Sequence, residues 1–470
     1  MNKKVVTSML AVSLLASGLV GCAPKQETAG NKEGKITISI GEWPSENRPI
    51  EQEKWQGWVE LMNEKYPDIE IQPDEWMYDM QTFLPKATSG QLPTLYPCHL
   101  TETKKIINAG YSADITETIE ALGYAPYLNK QLMELCEKDG KYYGLPQGFY
   151  TQGLACNVEL FRQAGLLDEN GVPMFPQTWE ELGETAGIIK EKTGQAGFVL
   201  PTINNCGGWH FLNIAWAYGT EFMKQDENGK WVATFNSPEC IAALQFVKDL
   251  KWKYNALSDN ALIDQQEMQK MFAVDQGGMY LTSGPDVFLT ETYGMPVDRW
   301  SYTLIPAGPK GRFAQLGGKT WMFSTEATPE ELDACFKWLD TAHGYRPALT
   351  EEEQAEYLEK QRADMKTRVE QGYIVYKGTT GVWDIPELDA QVAEIAKELA
   401  NVDLKMVESS FDMSQVTIKP EEPMNCQDLY GVLDACIQAV LTDESADPAA
   451  LIAEAQDNFQ KNYLDKAQQQ

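Results

Sequence analysis

Four short stretches set an aromatic ring beside a hydrogen-bonding side chain, next to residues that break regular structure. Glu42-Trp43 lies between Gly41 and Pro44, and Tyr78-Asp79 follows a short alternating segment. Asn204-Asn205-Cys206-Gly207-Gly208-Trp209 is glycine-bearing, as is Gly317-Gly318-Lys319-Thr320-Trp321. Aromatic faces offer large apolar area with few rotatable bonds, while neighbouring carboxylates, amides and ammonium groups fix orientation. That is the chemistry of recognition. Bond-breaking signatures are missing from the sequence: it contains no G-x-S-x-G and no G-x-G-x-x-G, and Phe313 stands where a phosphate loop ending at Gly318 requires glycine.

Metal and thiol chemistry fare no better. His99, His210 and His343 are far apart, and no His-Glu-x-x-His occurs. Cys98 and His99 are adjacent, so on a strand they point to opposite faces, and no metal site or cofactor is expected. Eight cysteines follow Cys22 without a Cys-x-x-Cys, which reads as mostly free, buried thiols. If any pair is bridged, it is Cys426 with Cys436.

The elements that must carry these residues begin with Lys35 to Ile40, which alternates as a strand should. Ile50 to Tyr66 reads as a helix, with Trp55, Trp58, Val59 and Met62 at helical spacing. A second strand over Asp68 to Gln72 and a helix over Met80 to Ser89 extend the alternation, which argues for α/β layers. Ligands of such sheets sit beyond the carboxyl ends of the strands, which puts Glu42, Trp43, Trp76, Tyr78 and Asp79 on one rim. Trp55, Trp58, Trp179 and Trp338 fall on apolar helical stripes and are expected to be packing residues.

Composition narrows the partners. The 470 residues include 39 basic and 69 acidic ones, a formal net charge of −30, with 43% hydrophobic content. Nucleic acid and anionic lipid headgroups are poor partners for such a chain. Lys3 and Lys4 precede a short apolar run ending in Leu19-Val20-Gly21-Cys22, which reads as an export signal over residues 1–21. Leu-Val-Gly-Cys resembles the bacterial lipobox, making Cys22 the expected lipidation site. Residues 22–34 are polar, a flexible tether of roughly 20 Å. Later segments lack 18 consecutive apolar residues, so an extracellular body anchored to the membrane only through lipid is expected.

Four blocks resemble the solute-binding proteins of bacterial ABC importers, in their carbohydrate-binding branch. Phe83 to Ile119 is similar to the family's "Gly-x-x-Pro-Asp" and "Ala-Gly-x-x-x-Asp-Leu-Thr", with Thr94 in place of Asp. Gly140 to Leu182 is similar to "Tyr-Gly-x-Pro … Tyr-Asn-x-x-x-Phe-x-x-Ala-Gly … Pro-x-Thr-Trp-x-Glu-Leu", with Cys156-Asn157 for Tyr-Asn. Met271 to Leu316 followed by Gly317-Gly318, and the stretch from Leu429 to Tyr463, complete the match. The long, charged region 343–423 departs from the family's pattern.

The resemblance implies a two-lobed, periplasmic-binding-protein-like (type II) α/β fold with hinged lobes and an enlarged C-terminal lobe. Lobe 1 would comprise 35–148 and 308–345, and lobe 2 would comprise 149–307 and 346–470. It further implies capture of a carbohydrate, an oligosaccharide in the first instance, by a monomer that delivers it to a membrane permease. Gln147 and Tyr150 would lie where the chain crosses between lobes. Ser283 and Asp286 would occupy the place of a Gly-Ser-Trp contact that here lacks its Trp. Gly318, Lys319 and Trp321 would offer backbone and ring, and Trp209 an aromatic platform. The 343–423 region is expected to be cover, reaching the cleft at most through Trp383. A neutral sugar is favoured over a cationic polyamine because the acidity is spread along the chain. A hydrolase alternative would pair Glu42 with Asp286.

Overall fold

The computed structural model describes residues 34–46, 48–378 and 382–468. Cys22, the signal segment and nearly all of the tether lie outside the described residues. Strand β1 (Ile36–Ile40) buries Ile38 and Ile40 on one face, as its alternation requires. Helix α1 (Pro49–Lys65) starts on a proline, whose fixed φ and missing N–H suit the first helical turn. It returns the chain to β2 (Ile69–Pro73), which runs parallel to β1 from Ile36↔Ile69 to Ile40↔Pro73. Strand β3 (Leu95–His99) takes the other side of β1 and feeds α2 (Leu100–Asn108). The strands and helices expected here fall within one or two residues of these bounds.

Two segments then cross between lobes. Strands β4 (Gly144–Thr151) and β5 (Gly153–Asn157) carry the chain into a second sheet, where β5 lies between β6 (Met279–Thr282) and β7 (Trp300–Leu304), antiparallel to both. Strand β8 (Arg312–Phe323) returns it. Its first part pairs parallel with β9 (Val416–Pro420), its middle pairs antiparallel with β4, and its last part pairs antiparallel with β3. The larger sheet is ordered β9-β8-β3-β1-β2, with β4 also on β8.

Each lobe has its own apolar core. In lobe 2, α3 (Trp179–Thr193), α4 (Cys206–Tyr218) and α5 (Pro238–Trp252) bury Trp179, Phe211 and Leu244 with Leu429, Leu433 and Ile437 from near the C-terminus. A shorter helix, α6 (Gln265–Ala273), packs Phe272 beside Tyr280. In lobe 1, Trp43, Trp321 and Trp338 join Ile38 and Ile40 under α7 (Pro329–His343).

The 343–423 region contains α8 (Glu351–Glu370) and α9 (Pro386–Glu398). Helix α8 starts on a capping box between Thr350 and Glu353, and Met365 is its buried residue, so it is the solvated helix its charge predicts. The region does more than enlarge one lobe. Ile374, Tyr376, Val402 and Val407 pack beside Trp300 and Tyr302 of lobe 2. Val382 joins the lobe 1 core, and Trp383 sits edge-on to Tyr124 and Tyr345 of that lobe, at 5.2 and 5.1 Å.

The eight described cysteines are free, and seven are buried. Cys426 and Cys436 both lie on α10 (Cys426–Thr442), ten positions apart. Ten helical steps separate them by about 15 Å, too far for a disulfide.

Candidate functional site

A cavity of about 660 Å³ opens between the lobes. The crossing strand β4 supplies Gln147, Tyr150 and Thr151; the loop after β6 supplies Ser283 and Asp286; α6 supplies Gln265 and Gln269. The fourth wall comes from the 343–423 region, with Tyr357, Gln361 and Arg368 of α8 followed by Tyr376, Lys377 and Trp383. That region was expected to be cover, yet it forms a side of the cavity. Its helix presents Tyr357, Gln361 and Arg368 at spacings of four and seven, which place all three on one face.

The glycines of β8 are explained by the crossing. A Cβ on Gly317 would meet the Tyr150 ring at 2.5 Å, and one on Gly318 would meet the Gly148 carbonyl oxygen at 2.3 Å. With glycine at both positions, β4 and β8 approach closely and the Tyr150 ring lies across β8. Tyr150 remains 40% exposed, facing the cavity.

Trp209 stands edge-on to Tyr150, with ring centres 6.4 Å apart. Its indole N–H donates to Glu421 Oε1 at 3.0 Å, and Gln315 Nε2 donates to the same oxygen at 2.7 Å. Tyr430 also donates its hydroxyl there. Burial pushes the Glu421 carboxyl up to about 7, and these three donors, which favour the charged form, only partly oppose it. Glu42 accepts two hydrogen bonds from Lys319 Nζ, at 2.7 and 2.9 Å, in a half-buried ion pair.

The glycine-bearing stretch around Gly207 and Gly208 has a packing role. It is the first turn of α4, and a Cβ on Gly208 would lie 2.4 Å from the Tyr430 carbonyl oxygen of α10. Asp434 of α10 accepts from the backbone N–H groups of Asn205 and Gly208, at 2.8 and 2.7 Å, and so caps that turn. Trp209 is consequently held by two packed helices.

The sequence-predicted residues divide into three groups. Gln147, Tyr150, Ser283, Asp286 and Trp383 line the cavity. Trp209, Gly318, Lys319 and Glu42 surround its β4–β8 side without lining it. Trp43 and Trp321 are buried in the lobe 1 core, which corrects the expectation for both, while Tyr78 and Asp79 are accessible but lie off this cavity. Trp43 is 9% exposed and packs on Trp55 and Trp338 at 4.9 and 6.1 Å, because the chain after β1 turns into the lobe core. Trp321 is 2% exposed, since alternation along β8 sends it inward. Tyr78 donates to Glu102 Oε2 at 2.7 Å and lines a separate groove between α2 and the C-terminal segment. Asp79 caps the helix Met80–Thr88 through the Thr82 N–H at 3.0 Å.

Glu421, Tyr376 and Lys377 were missed by sequence reasoning. Glu421 has a legible signal, an acidic pair between Pro420 and Pro423 at the end of an alternating segment. Lys377 has none.

Among the described residues, the cavity lining includes one acidic and two basic side chains (Asp286, Arg368 and Lys377), with amides, hydroxyls, rings and the aliphatic Ile374 and Val382 making up most of the rest. His343 also touches it, but burial pulls that imidazole down to about 4 and keeps it neutral near pH 7. Asp286 is already engaged, capping the turn after β6 through the Phe288 N–H and accepting from Gln269 Nε2 at 3.1 Å. A pocket built this way can grip a polyhydroxylated molecule by its faces and its hydroxyls. Of the two carboxylates of the hydrolase alternative, Asp286 lines the cavity, while Glu42 is held in its ion pair with Lys319.

The chain belongs to the bacterial extracellular solute-binding protein family, whose model matches residues 47–342. It is 26% identical over 238 residues to a putative binding protein of Brucella abortus, covering 47% of this chain and 54% of that one. An arabinooligosaccharide-binding protein of Bacillus subtilis is 22% identical over 258 residues, covering 53% of this chain and 55% of that one. The chain thus spans about half the length of the curated relatives it matches. Among solved structures, an ABC transporter solute-binding protein from Thermotoga lettingae, bound with α-D-tagatose, superposes with a TM-score of 0.66 at 20% identity. That likeness covers 91% of this chain and 99% of the other, and it shows the same two-domain fold. Among the described residues, no helix is long and apolar enough to cross a membrane.

Proposed function

We propose that this protein captures a carbohydrate in the interlobe cavity and delivers it unaltered to an ABC permease at the outer face of the membrane. Acylation of Cys22 would hold the body there by a polar tether. The carrying observation is the cavity wall itself, which combines the accessible amides of Gln147, Gln265 and Gln361 with the accessible rings of Tyr150, Tyr357 and Trp383. Amides match hydroxyls as donors and acceptors at once, and rings match the C–H faces of a pyranose. The names of the arabinooligosaccharide-binding relative and of the tagatose-bound structure support the same ligand class.

Closure would follow from differential binding. The crossing strands β4 and β8 join the lobes, and a sugar touching both lobes binds the closed form better than the open one. A cationic solute would need unpaired carboxylates, and among the described residues lining the cavity Asp286 is the one carboxylate, already engaged.

Thermal shift of the chain from Ala23 onward, against a saccharide panel and spermidine, tests the reading. At one hundred times the dissociation constant a ligand stabilises the folded state by about 2.7 kcal/mol, which is readily seen. At least one saccharide raises the melting temperature and spermidine does not. The opposite pattern would establish the cationic ligand.

A further inference from the structure

The wall contributed by the 343–423 region holds an ammonium group that the protein itself does not neutralise. Lys377 Nζ donates to the Ser283 carbonyl oxygen at 3.1 Å and lies over the rings of Tyr302 and Tyr376, at 5.1 and 5.7 Å from their centres. Its side chain is exposed to the cavity, and among the described residues no carboxylate lies at ion-pair distance from it. Two of the three ammonium protons therefore remain for whatever occupies the cavity.

Arg368 faces the same space from α8, half-buried and without an ion pair among the described residues. The ionised lining is thus two unpaired cations against one engaged carboxylate, in a protein whose formal charge is −30. Lys377 is exposed to the cavity and Arg368 half-buried, so both present positive charge to whatever occupies the space, and an anion is the complementary ligand.

We propose that Lys377 and Arg368 form an anion subsite in the cavity, so that the captured saccharide carries an acidic substituent, a uronate carboxylate or a phosphate ester. This rests on the carbohydrate reading and narrows it. The rings and amides hold the sugar body, and the two cations select for its charge. The subsite belongs to the region that departs from the family's pattern.

The test is equilibrium binding of the chain from Ala23 onward to uronate oligosaccharides, their carboxyl-reduced neutral counterparts, and hexose phosphates. One acidic class binds at least about tenfold tighter than its neutral counterpart, the scale of one charge-assisted hydrogen bond. Which class it is identifies the anion. Lys377→Met erases that preference, read as the ratio of acidic to neutral affinity in the same protein, Lys377→Arg retains it, and Arg368→Gln reduces it. The preference also fades between low and high salt. Neutral sugars binding as tightly as acidic ones, or a preference that survives Lys377→Met, would overturn the anion subsite and leave the carbohydrate reading standing. A Lys377→Met protein that only melts lower, with its preference intact, also overturns it. If no saccharide of either charge binds, both readings fall.

Discussion

Lobe 1 and the interlobe cavity both gather aromatic rings, and the two gatherings behave differently. Under α1 and α7, Trp43, Trp55, Trp58 and Trp338 stack on one another at 4.9 to 6.3 Å, with His343 against Trp58 and Trp321. The indole N–H groups of Trp321 and Trp338 find no partner there. Around the cavity, rings keep polar company, with Trp209 on Glu421 and Tyr150 open to the space. Ring content therefore does not mark a binding site. A ring with a hydrogen-bonding neighbour and an open face does, because burial in a core has already used both faces.

The sharpest test of that contrast is Trp321→Ala. Deleting a fully buried indole leaves a cavity in the lobe 1 core, and about 3–5 kcal/mol of stability should be lost in urea unfolding. Trp209→Ala should cost much less stability, and if the two losses match, the distinction between core and rim collapses.

Glu421 gives the next effect. Its carboxyl is raised to about 7 in the folded protein, so the folded state holds a proton that an unfolded glutamate, at about 4.5, has released. Stability contributed by this group is full below pH 4.5 and is lost as pH rises toward 7, by roughly 1–3 kcal/mol. Asp434, raised to about 6 by burial, adds loss of the same sign over a lower window. Chemical unfolding across pH 4.5 to 7.5 should show a shallower decline in Glu421→Gln than in the parent protein, and equal slopes would refute the assignment.

Tyr150→Ala addresses the cavity side. It should weaken ligand binding by about 1–2 kcal/mol in calorimetry, with the melting temperature of the free protein nearly unchanged. Lys319→Met should do least. Its ion pair with Glu42 is half-buried and solvent-screened, so roughly 0.5 kcal/mol of stability is at stake. A loss several times larger would place that pair among the structural supports of the crossing.

Much of lobe 1 was legible beforehand, and the reason is local. Alternation in Ile36–Ile40, the stripe of Trp55, Trp58 and Met62, and the breaker after Ile40 each reflect a period that the backbone imposes within a few residues. The candidate site was only partly legible. Strand-end positions led to Trp43 as readily as to Glu42, although the chain turns one inward and the other toward Lys319. Trp383 was included, while its neighbours Tyr376 and Lys377 were not, because nothing near them in sequence says that a charged stretch closes a cavity. Gly207 and Gly208 looked like a ligand loop and proved to be room for another helix's backbone.

Family, layer type, strand positions and the recognition chemistry on offer were thus fixed by residue order, since each depends on periodicity or on a motif read within a short window. Which rings face solvent, which carboxylate is left at about 7, and which ammonium lacks a counter-ion were decided only when segments hundreds of residues apart met at the crossing of β4 and β8. Burial and pairing belong to contacts between distant segments, and a linear chain does not contain them.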